Sequence, residues 1–282
     1  MTCYLYLMVM AGSTPNEHME VATADETLAD LLDRSGRTSV PIRRLFLQLP
    51  DKQPGPLARF VVGRRPLALD LWLLLHAGAS REDWDVRQPA MSWARMLDMP
   101  QTIASETTIS RNWSWLEQQK LIRTERDHRV RKVFLLMEDG SGREFERATG
   151  KDRGFFKLPY AYFSERIHQD LKLAGKATLL ICLAQKPTFT LPTERASAWY
   201  GVSPDTLQRG LDELRERELV KVWTRTKKAP RARYGYTTEN HYALQGPFAR
   251  APIETEATIA AIIESKDPDV ALSIPTAGQV AI

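Results

Sequence analysis

Cysteine is nearly absent: Cys3 and Cys182 are the only two in 282 residues. Cys3 falls in an expected N-terminal tail and Cys182 in an apolar helical stretch. A disulfide framework is therefore excluded, and a reducing cytoplasmic compartment is expected. Long apolar runs are missing too. No stretch approaches the roughly 20 consecutive apolar residues that span a bilayer, so no membrane partner is expected. The opening MTCYLYLMVMAG has a short apolar run with no basic residue before it, which is not a secretory pattern. It reads as an extended start, with Met10 or Met19 as alternative beginnings. Catalytic signatures are equally scarce. His18, His76, His128, His168 and His241 are widely spaced, with no HExxH, H-x-H or CxxC. The nearest approach to a phosphate loop is GREFERATGKD. Its Gly142 and Gly150 are too far apart, and Asp152 stands where Ser or Thr is required. The expectation is no enzyme, no cofactor, no metal and no small-molecule ligand.

What the chain has is focused charge. The net charge is +4. Between Lys120 and Lys132 there are six basic residues against Glu125 and Asp127. Between Lys221 and Tyr234 there are six basic residues and no acid. The two runs together carry +10, so the remainder sums to −6. Much of that lies at the ends. Glu17, Glu20, Asp25, Glu26, Asp30 and Asp33 precede Arg34, and Glu254, Glu256, Glu264, Asp267 and Asp269 crowd the C-terminus around Lys266. Cationic focusing of this kind raises the local concentration of an anionic partner.

The two basic runs follow a repeated script. Each half opens on an F-x-LP phrase, FLQLP at Phe46 to Pro50 and FFKLP at Phe155 to Pro159. An apolar helix follows, LALDLWLLLHAG or KATLLICLAQ, then a short extended piece, then a small helix. A turn leads to a long helix, and a basic hairpin closes the unit. The long helices align residue by residue, with Thr108, Ile109, Arg111, Trp113 and Leu116 matching Thr206, Leu207, Arg209, Leu211 and Leu214. Ile109, Trp113 and Leu116 share one stripe, as do Leu207, Leu211 and Leu214, so these are core positions. Ser203 before Pro204 and Asp205 reads as an N-cap, and Gly201 as the left-handed residue ending the small helix. Ser105 is the expected cap of the first long helix.

The implied fold class is mainly α with small β-hairpins, an α+β arrangement. The expected organisation is an acidic, flexible tail over 1–40, a first unit over 41–140, a linker over 141–153, a second unit over 154–247 and an acidic tail over 248–282.

The phrase AWYGVSPDTLQRGLDELRERELVKV closely resembles the helix-turn-helix core of winged-helix DNA-binding proteins. WARMLDMPQTIASETTISRNWSWLEQQKLIR is similar, but Asp98 stands where the turn glycine is expected and the turn is about five residues longer. Two such units in tandem resemble, over roughly 41 to 247, the replication initiators of plasmids and phage-type elements. Tandem winged helices also occur in transcription regulators and chromosome-segregation proteins. The resemblance implies two winged-helix domains that bind double-stranded DNA, each with its last helix in the major groove. For the first such helix the candidate contacts are Thr107, Thr108, Ser110, Arg111, Ser114 and Gln118. Its wing offers Arg126, Arg129, Arg131 and Lys132. The second helix offers Ser203, Thr206, Gln208 and Arg209, and its wing Lys227, Lys228, Arg231 and Arg233. Asp212 and Glu216 oppose deep docking of the second helix, so shallow docking and pairing with a second protomer stand as equals. Replication initiation and dimeric transcriptional repression are both open, as is a protein-interaction module without DNA. Association with the bacterial nucleoid or a plasmid is expected.

Overall fold

The computed structural model describes residues 21–80, 83–127, 130–146 and 154–250. The chain mixes helix and sheet. The first helix, α1 (Ala24–Ser35), lies inside the segment expected to be a tail. Two features of its sequence explain it. Thr23 and Glu26 form a reciprocal capping box, and Gly36 closes the helix with φ 62°. Leu28, Leu31 and Leu32, spaced i, i+3, i+4, are buried, while Asp25, Glu26, Asp30 and Asp33 face water. The acids that suggested a flexible tail are the wet side of an amphipathic helix.

Strand β1 (Ser39–Arg43) follows, then α2 (Leu57–Val62) and α3 (Pro66–Gly78). The first repeated script continues through β2 (Asp85–Arg87), α4 (Ala90–Met96), α5 (Ile103–Gln118), β3 (Ile122–Asp127) and β4 (Val130–Leu135). The second half begins with β5 (Phe155–Pro159), α6 (Ala161–Ser164) and α7 (Ile167–Asp170). It then repeats the script with α8 (Leu173–Leu183), β6 (Thr188–Phe189), α9 (Ala196–Tyr200), α10 (Pro204–Glu216), β7 (Val220–Lys228) and β8 (Tyr236–Leu244). Both units close on three-stranded sheets of the same order, β2-β4-β3 and β6-β8-β7.

The F-x-LP phrases are not equivalent. FFKLP forms β5, but FLQLP runs through two 3-10 turns, with Pro50 opening the second. The partner of β5 is SVPIR, which pairs with it antiparallel, Val40 opposite Leu158 and Ile42 opposite Phe156. All four are buried, so this ribbon joins the halves. The junction is reinforced between α3 and α8. The Lys176 ammonium donates to Asp70 Oδ2, and Tyr162 donates its hydroxyl to Asp70 Oδ1 at 2.8 Å, all out of water. On the surface, Arg166 bridges Asp25 at 3.0 Å and Asp98 at 2.8 Å.

Three further boundaries differ from the sequence reading. The first long helix starts at Ile103, capped by Thr102, whose hydroxyl accepts from Ser105 N at 3.3 Å, so Ser105 is not the cap. Six residues separate α4 from α5, against three between α9 and α10. Asp98 nonetheless takes a left-handed φ of 53° after α4, as Gly201 takes 63° after α9. Within the expected linker, Phe145 packs edge-on against His76 and Trp84, so 141–146 belongs to the first unit; residues 147–153 lie outside the described residues. At the start of the expected C-terminal tail, Phe248 is buried and Arg250 donates to Leu183 O at 3.1 Å. Residues 251–282 and the N-terminal 1–20 lie outside the described residues.

Candidate nucleic-acid interface

Helix α5 has two contrasting sides. Ile109, Trp113 and Leu116 are buried, with Trp113 edge-on to Trp93 at 5.1 Å, so Trp113 is a core residue. On the other side Thr107, Arg111, Ser114 and Gln118 are exposed, flanked by half-buried Thr108 and Ser110. The hydroxyls do not point their protons outward. Thr107 donates to Ile103 O at 2.9 Å, Thr108 to Ala104 O at 2.8 Å and Ser114 to Ser110 O at 3.1 Å. Each hydroxyl oxygen therefore presents lone pairs to the outside, where it can accept from an amino group. Arg111 has no ion-pair partner among the described residues, which leaves its fork of donors open.

Two clefts flank this helix. One is lined by Thr107, Ser110, Arg111, Ser114 and Gln118 together with Arg65 and Trp115. The other is lined by Ser110 and Glu106 with Gln88 and the hairpin residues Arg126 and Arg131. The structure thus brings the first helix and two of its expected wing residues to one groove. Arg126 and Arg131 sit directly opposite in the β3–β4 register. Like charges in that position repel across a sheet, an arrangement that an anion between or above them relieves.

Lys132 departs from the expectation. Side chains alternate along a strand, so Lys132 points away from the face that holds Arg131. It lies 3.7 Å from Asp85 and 3.8 Å from Asp83, and 4.5 Å above the Phe134 ring. Arg123 covers the same ring at 3.9 Å and pairs with Glu125. That outer face is internally neutralised, and Lys132 is removed from the candidate contacts. Arg129 lies outside the described residues.

Helix α10 has its polar groups spent on itself. Ser203 caps it by accepting from Thr206 N at 3.1 Å, and the two hydroxyls are 2.8 Å apart. Gln208 donates to Asp212 at 3.1 Å, and Arg209 bridges Asp205 at 2.9 Å. Its inner side crosses α8 closely. A Cβ on Gly210 would stand 2.5 Å from Ala174 O and collide with the Thr178 hydroxyl.

The second hairpin compensates. Both strands run nine residues, and everything from Thr224 through Asn240 is exposed except the half-buried Ala229 and Ala232. Lys227, Lys228, Arg231 and Arg233 have no ion-pair partner among the described residues. Arg225 faces Glu239 across the ladder.

Two residues beside α5 escaped the sequence reading. Arg65 comes from the turn before α3, where the signal was the basic pair in VVGRRP. Ile103, in the first turn of α5, is 81% exposed, the most exposed large apolar side chain of the described residues. The buried titratable groups lie elsewhere. Burial, with Arg37 and Arg43 nearby, pushes His76 down to about 3, and burial with Lys176 pushes His168 down to about 4. Burial pushes the Cys182 thiol up to about 12. None of the three exchanges a proton near neutrality. Among the described residues no helix is long and apolar enough to cross a membrane.

No protein-family model, curated protein or solved structure matches the chain.

Proposed function

We propose that this chain is a sequence-specific duplex-DNA-binding protein built from two tandem winged helices, and that it acts as a replication initiator of a plasmid or mobile element. The observation that carries the reading is the first unit's outer face. An acid-free row of Thr107, Arg111, Ser114 and Gln118 lies between Arg65 on one side and Arg126 with Arg131 on the other. B-DNA's major groove admits one helix, and phosphates rise on both of its edges. A polar reading helix between two cationic shoulders matches that profile. Arg111 is the candidate for bidentate contact to guanine O6 and N7, and the outward lone pairs of Thr107 and Ser114 suit the amino groups of adenine or cytosine.

The second unit contributes chiefly through its hairpin, whose lysines and arginines neutralise phosphate. The acids of α10 keep that helix shallow or turn it to a second protomer. This reading assigns the chain no catalytic step, and the buried His76 and His168 read as core groups.

A gel-shift titration across salt tests the reading. Six to eight phosphate contacts predict a log–log slope of about −5 to −7, at about −0.9 per phosphate. Negligible duplex affinity at low salt would leave a protein-interaction module. Repeated footprints beside an origin would favour initiation, and a palindrome over the chain's own promoter would favour repression.

A further inference from the structure

The second hairpin carries a feature that phosphate neutralisation does not use. Among the described residues only five large apolar side chains are exposed, and the two aromatic ones, Tyr234 at 71% and Tyr236 at 51%, both sit at its tip. Their centroids are 6.4 Å apart and the rings are tilted by 35°. The Arg233 guanidinium lies 5.5 Å from the Tyr234 ring centre. The tip is ordered by its own bonds: Ala229 N donates to Gly235 O at 2.8 Å, and Gly235 N to Ala232 O at 2.9 Å. Gly235, with φ 75°, lets the chain turn between the two tyrosines and keeps both rings at one end. No acid occurs from Thr226 to Thr238. Lys228 stands opposite Tyr236 in the ladder, and Lys227, Arg231 and Arg233 lie in the same exposed segment.

We propose that this tip is a binding site for unpaired nucleotides, in which Tyr234 and Tyr236 stack on bases and the surrounding lysines and arginines hold the backbone. Aromatic faces bind any base, and cations track the phosphates; together they make the usual platform for single strands. An intact duplex offers these rings little. Base faces are hidden in the stack, and the minor groove is only about 6 Å wide. A two-stranded ribbon can lie in a groove of the duplex, but there it meets base edges and backbone and not the base faces on which a ring stacks. The proposal extends the DNA-binding reading by giving the second unit a substrate of its own: the strand exposed when a bound duplex opens.

The test uses the full chain with two labelled probes, an oligothymidine of about 20 nucleotides and a duplex that the same chain selects from random sequence. The wild type is expected to bind oligothymidine at about 100 mM salt. Tyr234→Ala with Tyr236→Ala should weaken that binding by about tenfold or more, and the paired Tyr→Phe changes by less than about twofold. Duplex affinity should stay within about threefold in both variants. The proposal is overturned if oligothymidine does not bind, if the alanine pair binds it as the wild type does, if both probes lose equally, or if phenylalanine fails as badly as alanine. Tyrosine-dependent oligothymidine binding with no duplex binding would sink the duplex reading and leave the tip site standing.

Discussion

Helices α5 and α10 occupy the same step of the same script, yet their outer faces are opposites. At matched positions, Thr107, Arg111, Ser114 and Gln118 become Asp205, Arg209, Asp212 and Glu216. The first set carries one positive charge, and its arginine has no ion-pair partner among the described residues. The second carries a net charge of −2, and its arginine is tied to Asp205. The hairpins reverse the contrast. The first is short; its Arg123 pairs with Glu125 of the same hairpin, and its Lys132 lies near Asp83 and Asp85 at the neighbouring β2. The second is long and leaves four cations open at its tip. On the proposed DNA-binding reading, the two halves divide the work: base reading falls to one helix and phosphate neutralisation to the other unit's hairpin.

This division depends on the two units being held as one body, and the largest expected effect breaks that body. Lys176→Met removes one side of the buried Asp70–Lys176 pair. An uncompensated buried carboxylate costs about 3–5 kcal/mol. Burial already raises the Asp70 carboxyl above its ordinary 3.8, and losing the lysine raises it further. The folded variant then binds the proton more readily than the unfolded chain. Its deficit against wild type should be full near pH 7 and shrink as pH falls toward 4. His76 owes its low value to burial, Arg37 and Arg43, so its titration cancels in the difference. His168 does not cancel: losing Lys176 removes one of the causes that hold its imidazole down, which eases its protonation in the folded variant and also shrinks the deficit in acid. Denaturant melts at several pH values check this, and a deficit that grows in acid would refute it.

Exchanging the faces tests the contrast itself. Thr107→Asp, Ser114→Asp and Gln118→Glu give α5 the charge pattern of α10. Like charges facing phosphate cost several kcal/mol, so duplex affinity should fall at least about a hundredfold. Stability should change little, within about 0.5 kcal/mol per exposed site. The reverse exchange in α10, Asp212→Ser with Glu216→Gln, should raise affinity for random duplex by less than about tenfold. If the reverse exchange creates a new sequence preference, α10 also reads bases.

A finer separation compares one residue from each site. Arg111→Ala should lose about 1–3 kcal/mol of discrimination between target and random duplex. Lys228→Ala should weaken all duplexes alike and flatten the salt slope by about 0.9. Equal losses on random DNA from both would remove Arg111 from base reading.

Within the repeated script the order of elements was legible because the signals were local: periodic apolar stripes in α5 and α10, Ser203–Pro204 as a cap, Gly201 as a stop. What the sequence hid was long-range or alternating. FLQLP and FFKLP look alike, but only tertiary pairing decides that SVPIR, and not FLQLP, lies beside β5. Arg131 and Lys132 are neighbours in sequence and occupy opposite faces, which a charge count cannot see. Arg65 reaches the candidate groove from a turn well before α5, and Gly210 matters through a helix crossing that no single segment records. The acids before Arg34 suggested disorder because the buried leucines between them were read too lightly.

The smallest expected effect concerns Ile103. It opens α5, and the stripe i, i+4, i+7, i+11 continues from it through Thr107, Ser110 and Ser114. In this docking geometry the N-terminal residues of the helix lie nearest the bases. The only apolar group on the major-groove edge is the thymine methyl. Ile103 should therefore favour thymine at one or two positions of the selected site. Replacing those thymines by deoxyuracil removes one methyl each, worth about 0.8 kcal/mol, or roughly fourfold in affinity. The same replacement should cost Ile103→Ala almost nothing, because the methyl then has no partner to lose. A double-mutant cycle between side chain and methyl isolates that coupling from any general weakening. If the deoxyuracil penalty is the same in both proteins, Ile103 does not touch the base edge, and base reading begins with Thr107 and Arg111.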